Sequence, residues 1–318
     1  MALQTTGSGG LSAEMKTFYD RLLLERTTPT LQYTNFSQKR GIPKNGGKTV
    51  EFRKFAALAV ATTPLTEGTP PTLKDLTVTA ITATIAQYGD AVGFSDLVST
   101  TTIDPLLKET TEILAEQAQE TIDEICREVL VAGTTVIYAN DATSRTTVGT
   151  NDTLTPSDLR RVLLTLKKNR ARRVGGFYHA IVHPDTVYDL MSTQEWRDAN
   201  QYAGAQRIFD GSIGTLYGIK FWETDKAKVL TNASNGLGAT GNIDVYITVV
   251  FGQNAWGMID LAGHNLRTYY KPLGSAGTAD PVDQQQSMGW KVAFVAKILQ
   301  DAFMARIEHA ASQANNAS

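Results

Sequence analysis

With 318 residues, the chain exceeds the usual size of one compact domain, which predicts two lobes or one domain with excursions. The near-balance of 30 basic and 32 acidic residues disfavours a protein whose main task is to neutralise nucleic acid phosphates. The single cysteine, Cys126, excludes an intrachain disulfide and a cysteine-based metal cage. Because the start has no signal-peptide pattern and no segment approaches about 18 consecutive apolar residues, we expect a soluble protein made in the cytoplasm, with no membrane segment.

Residues 1–47 are predicted to form an arm. Ser12 has a side chain suited to an N-cap, and apolar residues follow it at spacings of three and four, as in an amphipathic helix that ends near Pro29. Glycines and a proline break any pattern between residues 31 and 47, so that part is expected to be extended. A short helix on such a tether is typical of a segment that docks on another molecule. Its apolar positions are Met15, Phe18, Tyr19, Leu22 and Leu23, and Phe18 and Leu22 are the predicted contacts with a neighbouring copy.

Residues 48–91 are predicted to form a long β-hairpin loop. In the outgoing limb, Lys48–Phe55, Val50 and Phe52 alternate with polar residues, which is the pattern of a half-buried strand. The return limb, Leu76–Ala86, is rich in Thr, Val and Ile and is expected to be the longer strand. The turn at the far end is predicted by Pro64, Gly68, Pro70 and Pro71.

This hairpin needs a surface on which to lie, because an isolated two-stranded hairpin is only marginally stable in water. The sequence shows no apolar face that is clearly reserved for it. We therefore expect the surface to belong to a neighbouring copy of the chain. The predicted contacts are Phe52 and, around the tip, Glu67, Gly68, Pro70, Pro71 and Lys74.

Residues 104–131 are predicted to form the longest helix, because apolar residues follow one face at a period near 3.6. The opposite face is rich in acidic residues and has few bases. It is either a solvated face or an acidic ridge that faces a lumen or a basic neighbour. The apolar positions are Leu107, Leu114, Ala118, Ile122, Ile125 and Val129, and the acidic ones are Glu109, Glu112, Glu116, Glu120, Asp123, Glu124 and Glu128.

A compact αβ lobe is predicted over residues 156–262. It begins with a helix that is capped by Thr155 and ends in the dense basic cluster Lys167–Arg173. The cations of this cluster either complement the helix dipole or contact an acidic neighbour or nucleic acid, with Arg170, Arg172 and Arg173 as the candidate residues. The other predicted elements are strands at Val136–Tyr138, from Tyr178, at Ile243–Phe251 and at Leu266–Tyr270, a helix at Thr186–Met191, a loop at Thr231–Asn242 and an apolar segment at Met288–Ile307.

The sequence contains no motif for catalysis or for cofactor binding. It lacks a nucleophile elbow, a phosphate-binding loop and an H-E-x-x-H pair. His179 and His183 have no cysteine or third ligand nearby to complete a zinc site. Cys126 falls beside apolar residues of the predicted helix, as a buried and inert thiol does. We therefore predict no catalytic, cofactor-binding or metal-binding residues and a protein that is not an enzyme.

The order of arm helix, long hairpin, long helix, inserted lobe and returning segment resembles the major capsid proteins of tailed bacteriophages, which have the Hong Kong 97-type fold. Several short stretches are similar to one branch of that family, the coat proteins of podoviruses with a large virion polymerase. The resemblance spans nearly the whole chain and rests on the order and spacing of many short matches. They are Thr66–Pro71, Gln87–Asp90, Ser95–Leu97, Gly211–Gly214, Gly289–Lys291 and Asp301–Phe303.

The resemblance implies an α+β fold with an N-terminal arm, an extended hairpin loop, a long spine helix and an inserted axial lobe. It assigns residues 1–47 to the arm and 48–91 to the extended loop. Residues 156–262 would form the axial domain. Residues 92–155 and 263–318 would form the peripheral domain, with the spine helix at 104–131. It also implies an icosahedral shell of hexamers and pentamers around double-stranded DNA, assembled in the host cytoplasm and found in the virion.

Further partners follow from the same resemblance. They are a separate scaffolding protein, since the sequence leaves no room for a cleaved one before the arm helix, a portal and, in some members, a decoration protein. Two alternatives stay open. One is an encapsulin-like compartment that holds protein cargo, and the other is a nucleic-acid-binding protein that uses the cluster Lys167–Arg173.

Overall fold

The computed structural model describes residues 32–43, 46–101, 106–201, 213–234, 243–262, 264–277 and 280–313. Within these ranges the chain mixes helices and strands, which confirms the predicted α+β class. The predicted arm helix, with Phe18 and Leu22, lies outside the described residues.

The described helices and strands are numbered here in chain order. The α-helices are α1 (Asp96–Thr101), α2 (Leu106–Val131), α3 (Pro156–Lys168), α4 (Pro184–Ser192) and α5 (Gln194–Gln201). The strands are β1 (Gln38–Ile42), β2 (Thr49–Phe55), β3 (Val78–Thr84), β4 (Ala86–Ser95), β5 (Val136–Tyr138), β6 (Tyr178–Val182), β7 (Gly214–Leu216), β8 (Ile219–Glu223), β9 (Val229–Ser234), β10 (Ile243–Phe251), β11 (Trp256–Leu261), β12 (Arg267–Lys271), β13 (Gln285–Ile298) and β14 (Met304–His309).

A five-stranded sheet is built around its longest strand, β13. On one side β13 pairs antiparallel with β4 along residues 285–294, and on the other it pairs with β12 and then with β11. Strand β1 extends the sheet by pairing parallel with β11. Trp290, Val292 and Phe294 of β13 are buried in the core that the sheet forms with α2. This core explains why the final apolar segment of the sequence is a strand.

A second sheet of seven strands has the order β5-β14-β10-β6-β8-β7, and β9 also pairs with β10. Strand β10 is a run of β-branched and aromatic residues that is buried except at Asp244. Helices α3 and α4 pack on this sheet through Leu159, Leu163 and Leu190. The predicted strands at residues 136–138 and 243–251 and the helix cap at Thr155 are confirmed.

Helix α2 lies between the two sheets, because one core cluster contains Ala118 of the helix, Phe294 of β13 and Val249 of β10. The predicted apolar face is therefore confirmed. Asp123 was predicted on the acidic face, but its residue is only 6% exposed, so that placement is wrong. Its Oδ1 atom accepts a hydrogen bond from the backbone nitrogen of Tyr33 at 2.9 Å.

The predicted hairpin is confirmed, because β2 and β3 pair antiparallel from Thr49 opposite Thr84 to Phe55 opposite Val78. The two strands are equally long, so the expectation of a longer return strand is wrong. After Ile85 the chain enters β4, a strand that the sequence did not indicate. Glycines and aspartate are disfavoured in strands, and only pairing with β13 explains the extended conformation there.

The base of the hairpin packs on the chain's own five-stranded sheet. Phe52 and Ala83 are buried in one cluster with Ile42, Ile259 and Ala293. The expectation that the whole hairpin finds its surface on a neighbour is therefore corrected. Only the distal part, residues 56–77, lies beyond the paired strands.

Sheet membership does not follow the predicted lobe boundaries at residues 156 and 262. Strands β5 and β14 belong to the seven-stranded sheet, and β11 belongs to the five-stranded sheet. The predicted loop at Thr231–Asn242 is wrong for Thr231–Ser234, which lie in β9, while residues 235–242 are outside the described ranges. The strands that pair in each sheet are distant in sequence, so composition alone does not indicate their pairing.

Candidate subunit-contact surfaces

The distal hairpin, residues 56–77, carries large apolar side chains that are exposed. Val60 is 83% exposed, Leu65 74% and Leu73 94%. A turn at the predicted tip is confirmed, since Gly68 has a φ of 77° and the nitrogen of Thr69 donates to the carbonyl oxygen of Thr66 at 3.1 Å. Apolar surface of this extent is typical of an interaction site. The predicted contact residues exposed here are Glu67, Gly68, Pro70, Pro71 and Lys74.

Phe52 was predicted as a contact with a neighbouring copy, and this assignment is wrong. Its side chain is 9% exposed and packs in the hairpin-base cluster, with the guanidinium carbon of Arg40 5.5 Å from its ring centre. The alternation that indicates a half-buried strand is correct. What it could not indicate is whether the covering surface belongs to the same chain.

A bare trough lies on the face of the five-stranded sheet that points away from α2. Its floor consists of small residues in paired strands, among them Gly89 of β4 and Gly289 of β13. A Cβ atom at Gly89 would lie 2.5 Å from the carbonyl oxygen of Trp290, and one at Gly289 would lie 2.6 Å from that of Asp90. A side chain at either of these two positions would therefore clash with the backbone of the paired strand. The trough has a volume of about 620 Å³, and its borders include Tyr269, Lys271 and Lys291.

Two of the stretches that carried the resemblance meet in this trough, Gln87–Asp90 and Gly289–Lys291. On the opposite face of the sheet, Gln117 of α2 connects the same two stretches, because its side-chain nitrogen donates to Asp90 Oδ2 at 2.6 Å and its oxygen accepts from Trp290 Nε1 at 3.1 Å. The bond from Gln117 lowers the pKa of Asp90. Sequence reasoning missed this site, although a glycine in each stretch was an available signal.

The predicted basic residues Arg170, Arg172 and Arg173 are exposed in the loop after α3. The guanidinium carbon of Arg173 lies 5.5 Å from the ring centre of Tyr178. That of Arg160 lies 5.7 Å from the ring of Tyr217, which is 41% exposed. Within the described ranges, these cations form no ion pair. The group named the basic patch below comprises Arg160, Lys167, Lys168, Arg170, Arg172 and Arg173.

The histidines considered as metal ligands have structural roles. His179 Nδ1 accepts a hydrogen bond from Trp222 Nε1 at 2.9 Å, which leaves its Nε2 to donate to the carbonyl oxygen of Val174 at 3.2 Å. Burial lowers the pKa of His179. His183 caps α4, because its Nδ1 accepts from the backbone nitrogen of Asp185 at 3.2 Å.

Other chemistry in the described ranges is equally limited. Cys126 is buried, as predicted, and burial raises its thiol pKa to about 12, so the reactive thiolate is suppressed at neutral pH. The described residues contain no group of three His, Cys, Asp or Glu side chains placed to hold a metal. Among the helices described, none is long and apolar enough to cross a membrane.

The two sheets, the helix between them and the long hairpin define a Hong Kong 97-type fold. The capsid of Cyanophage Pam1 has a TM-score of 0.70 to this chain at 14% identity, over 90% of this chain and 92% of that chain. The capsid of Ralstonia phage GP4 gives 0.67 at 13% identity, over 87% of each chain. An encapsulin complex from Synechococcus elongatus gives 0.54 at 12% identity, over 98% of this chain and 97% of that chain.

The chain belongs to the phage capsid protein family, whose model matches residues 77–307, well over half of the sequence. It is a phage major capsid protein and a component of the virion capsid, as the sequence predicts. No curated protein sequence matches the chain.

Proposed function

We propose that many copies of this chain form hexamers and pentamers that close into an icosahedral shell around double-stranded DNA. The observation that supports this most directly is the distal hairpin, whose exposed apolar residues have the composition of a segment buried in an assembly. In this proposal the five-stranded sheet and α2 form the peripheral domain. The seven-stranded sheet, including β5 and β14, forms the axial domain.

Electron microscopy of the purified chain, alone and with its scaffolding protein, tests the proposal. Closed shells are expected, and only monomers or small rings would contradict it. Shells that contain protein cargo and no DNA would instead assign the chain to an encapsulin-like compartment. The scaffolding protein, the portal, a decoration protein, assembly in the host cytoplasm, the podovirus branch and the lack of catalysis follow from the family resemblance.

The trough is the receiving surface that we propose for the hairpin tip of an adjacent copy. Eleven residues on each limb of the distal hairpin can span about 35 Å in an extended conformation, enough to reach beyond the parent subunit. Small floor residues leave room for Pro70 and Pro71 beside Tyr269. Glu67 at the tip is opposite in charge to the trough borders, where Arg267, Lys271 and Lys291 lie.

Charge reversal tests this contact. Lys271→Glu combined with Lys291→Glu should reduce shell yield, and Glu67→Lys added to that pair should restore part of it. The soluble subunits should melt at the wild-type temperature, since these side chains are not in the core. Lys108→Glu, an exposed lysine on α2, is the control and should leave yield unchanged. Equal yields from all the variants would contradict the contact.

The basic patch is the surface that we propose for contact with packaged DNA. Six cations without ion pairs in the described ranges, on a chain of net charge −2, form a local field that attracts phosphates without sequence preference. Replacing Arg170, Arg172 and Arg173 by glutamine should flatten the salt dependence of DNA binding by about 2–3 in log–log slope. Filter binding at several salt concentrations measures this slope. An unchanged slope would contradict the assignment, and Lys108→Gln is the control.

A further inference from the structure

Residues 120–128 of α2 connect two segments that are distant in sequence. On one side Asp123 Oδ1 accepts from the nitrogen of Tyr33, at the start of the described chain, at 2.9 Å. On the other side Arg127 Nη1 donates to the carbonyl oxygen of Lys226 at 2.8 Å. Lys226 lies in the turn between β8 and β9 of the seven-stranded sheet. Two turns of one helix therefore hold both segments.

Ion pairs reinforce the connection to the β8–β9 turn. Lys228 Nζ lies 2.7 Å from Glu128 Oε1, and Lys226 Nζ lies 3.0 Å from Glu120 Oε1. Arg127 Nη2 also lies 2.8 Å from Glu128 Oε1 and 2.5 Å from Glu124 Oε1. The turn thus places two lysines along a helix face that presents acidic residues at successive turns.

Arg127 is the central member of this group, because its side chain is only 10% exposed. Exposed ion pairs are individually weak and screened by salt. A largely buried guanidinium that is bound to two carboxylates and a backbone carbonyl is directional, and its geometry is fixed by several donors at once. The contact therefore restrains the position of the turn relative to the helix.

The turn is a polar contact between the seven-stranded sheet and helix α2, beside the apolar core that both sheets share with this helix. The turn joins β8, which pairs with β6, to β9, which pairs with β10, so it moves with the seven-stranded sheet. Helix α2 packs on β13 of the five-stranded sheet. A restraint between the turn and the helix is therefore a restraint between the sheets.

We propose that Arg127, together with Lys226 and Lys228, fixes the angle between the two sheets and thereby sets the curvature of the shell. This inference rests on the proposed function, since curvature is a property of the assembled chain. Repeated heterologous contacts close only when the rotation between subunits has the required value. A small change of angle within each subunit is repeated in every copy, so it alters or prevents closure.

Arg127→Gln and Lys228→Glu test the inference by cryo-electron microscopy of assembled particles. Wild type and the control Lys108→Glu should give shells of one diameter, whereas both test variants should lose this uniformity and give mixed diameters, tubes or open sheets. Uniform wild-type shells from a folded Lys228→Glu chain would overturn the inference. If Arg127→Gln fails to fold, Lys228→Glu decides, because Lys228 is less buried than Arg127.

A second measurement separates failure of this inference from failure of the proposed function. If wild type forms no shells, the proposed function fails. Amide hydrogen exchange of the soluble subunits then tests whether the contact with α2 restrains the β8–β9 turn. Faster exchange at residues 224–228 in Lys228→Glu than in Lys108→Glu would support it. Equal exchange in the two variants would overturn it.

Discussion

Two segments rich in apolar residues have opposite environments in this subunit. In β10, Val245, Val249 and Phe251 are at most 1% exposed, whereas in the distal hairpin Val60 and Leu73 are more than 80% exposed. Burial of apolar surface is worth about 25 cal/mol per Å², so the first segment stabilises the subunit and the second contributes almost nothing to it. In the proposed shell, the distal hairpin would therefore be stabilised by contact with an adjacent copy.

Deleting residues 60–73 should separate the folding of the subunit from the assembly of the shell. The subunit should remain folded, because this segment lies outside every core cluster, and shell assembly should be lost. Circular dichroism measures the fold, and electron microscopy measures assembly.

A variant of full length serves as the control for the deletion. The triple variant Val60→Ser, Leu65→Ser and Leu73→Ser keeps the length of the hairpin and removes three of its apolar side chains. This variant should also impair assembly. A deletion variant that unfolds as a monomer yet still joins mixed assemblies would contradict the division of roles.

Single side-chain truncations in β10 and in the distal hairpin should differ in their effect on the free energy of unfolding. Phe251→Ala removes a fully buried ring from the core beside α2 and should lower the free energy of unfolding by about 3–5 kcal/mol. Leu73→Ala should change it by no more than about 0.5 kcal/mol, since the side chain is already in water. Urea denaturation of the soluble subunits measures both values. A comparable loss in both variants would mean that the hairpin contributes to the subunit core.

Asp123, on the helix between the two sheets, should make the free energy of unfolding depend on pH. Burial raises its pKa to about 6, above the usual value of about 3.9 in an unfolded chain, despite the opposing effects of the bond from Tyr33 and the charge of Arg127. The folded state therefore binds more protons between these values. The contribution of Asp123 to the free energy of unfolding consequently falls as pH rises from about 4 to about 6.

The variant Asp123→Asn should lack this slope and be more stable than wild type by about 1–3 kcal/mol above pH 6, because the amide oxygen still accepts from Tyr33 without a buried charge. Urea denaturation of both proteins between pH 4 and pH 8 gives the difference. A constant difference across this range would show that the carboxyl does not titrate there.

The helix cap at Thr155 should give a smaller loss of stability than the truncation of Phe251. Its Oγ1 accepts from the backbone nitrogen of Asp158 at 3.4 Å, and its own hydroxyl donates to Asp158 Oδ2 at 2.6 Å. Thr155→Ala should cost about 1 kcal/mol of stability. Thr165→Ala, on the same helix but away from its N-terminus, is the control and should be nearly neutral. Equal losses would show that the cap adds nothing beyond helix propensity.

Several elements were predictable because local chemistry determines them. The run Ile243–Phe251 is β-branched and aromatic, and the pattern of Thr155, Pro156 and Asp158 satisfies the first turn of a helix without help from the rest of the chain. The exposed tip at Gly68 followed from its prolines and glycine. Each of these signals lies within a short run of consecutive residues, where local backbone preferences act.

The candidate sites were less predictable, because they depend on which distant segments meet. The trough requires Gly89 and Gly289 to face each other's strands, where backbone atoms leave no room for a Cβ atom. The contact between Arg127 and the β8–β9 turn requires the carbonyl oxygen of Lys226. Neither pairing has a periodicity that a single sequence displays.

Local sequence patterns were enough to predict the long helix, the hairpin and its turn, the helix that follows Thr155 and the strand at Ile243–Phe251. Packing between distant segments determines that Phe52 is covered within the chain, that Asp123 is buried and that β4 is a strand. The physical reason is that hydrophobic periodicity specifies that a face is buried, whereas the identity of the covering surface is fixed by packing between segments far apart in the chain.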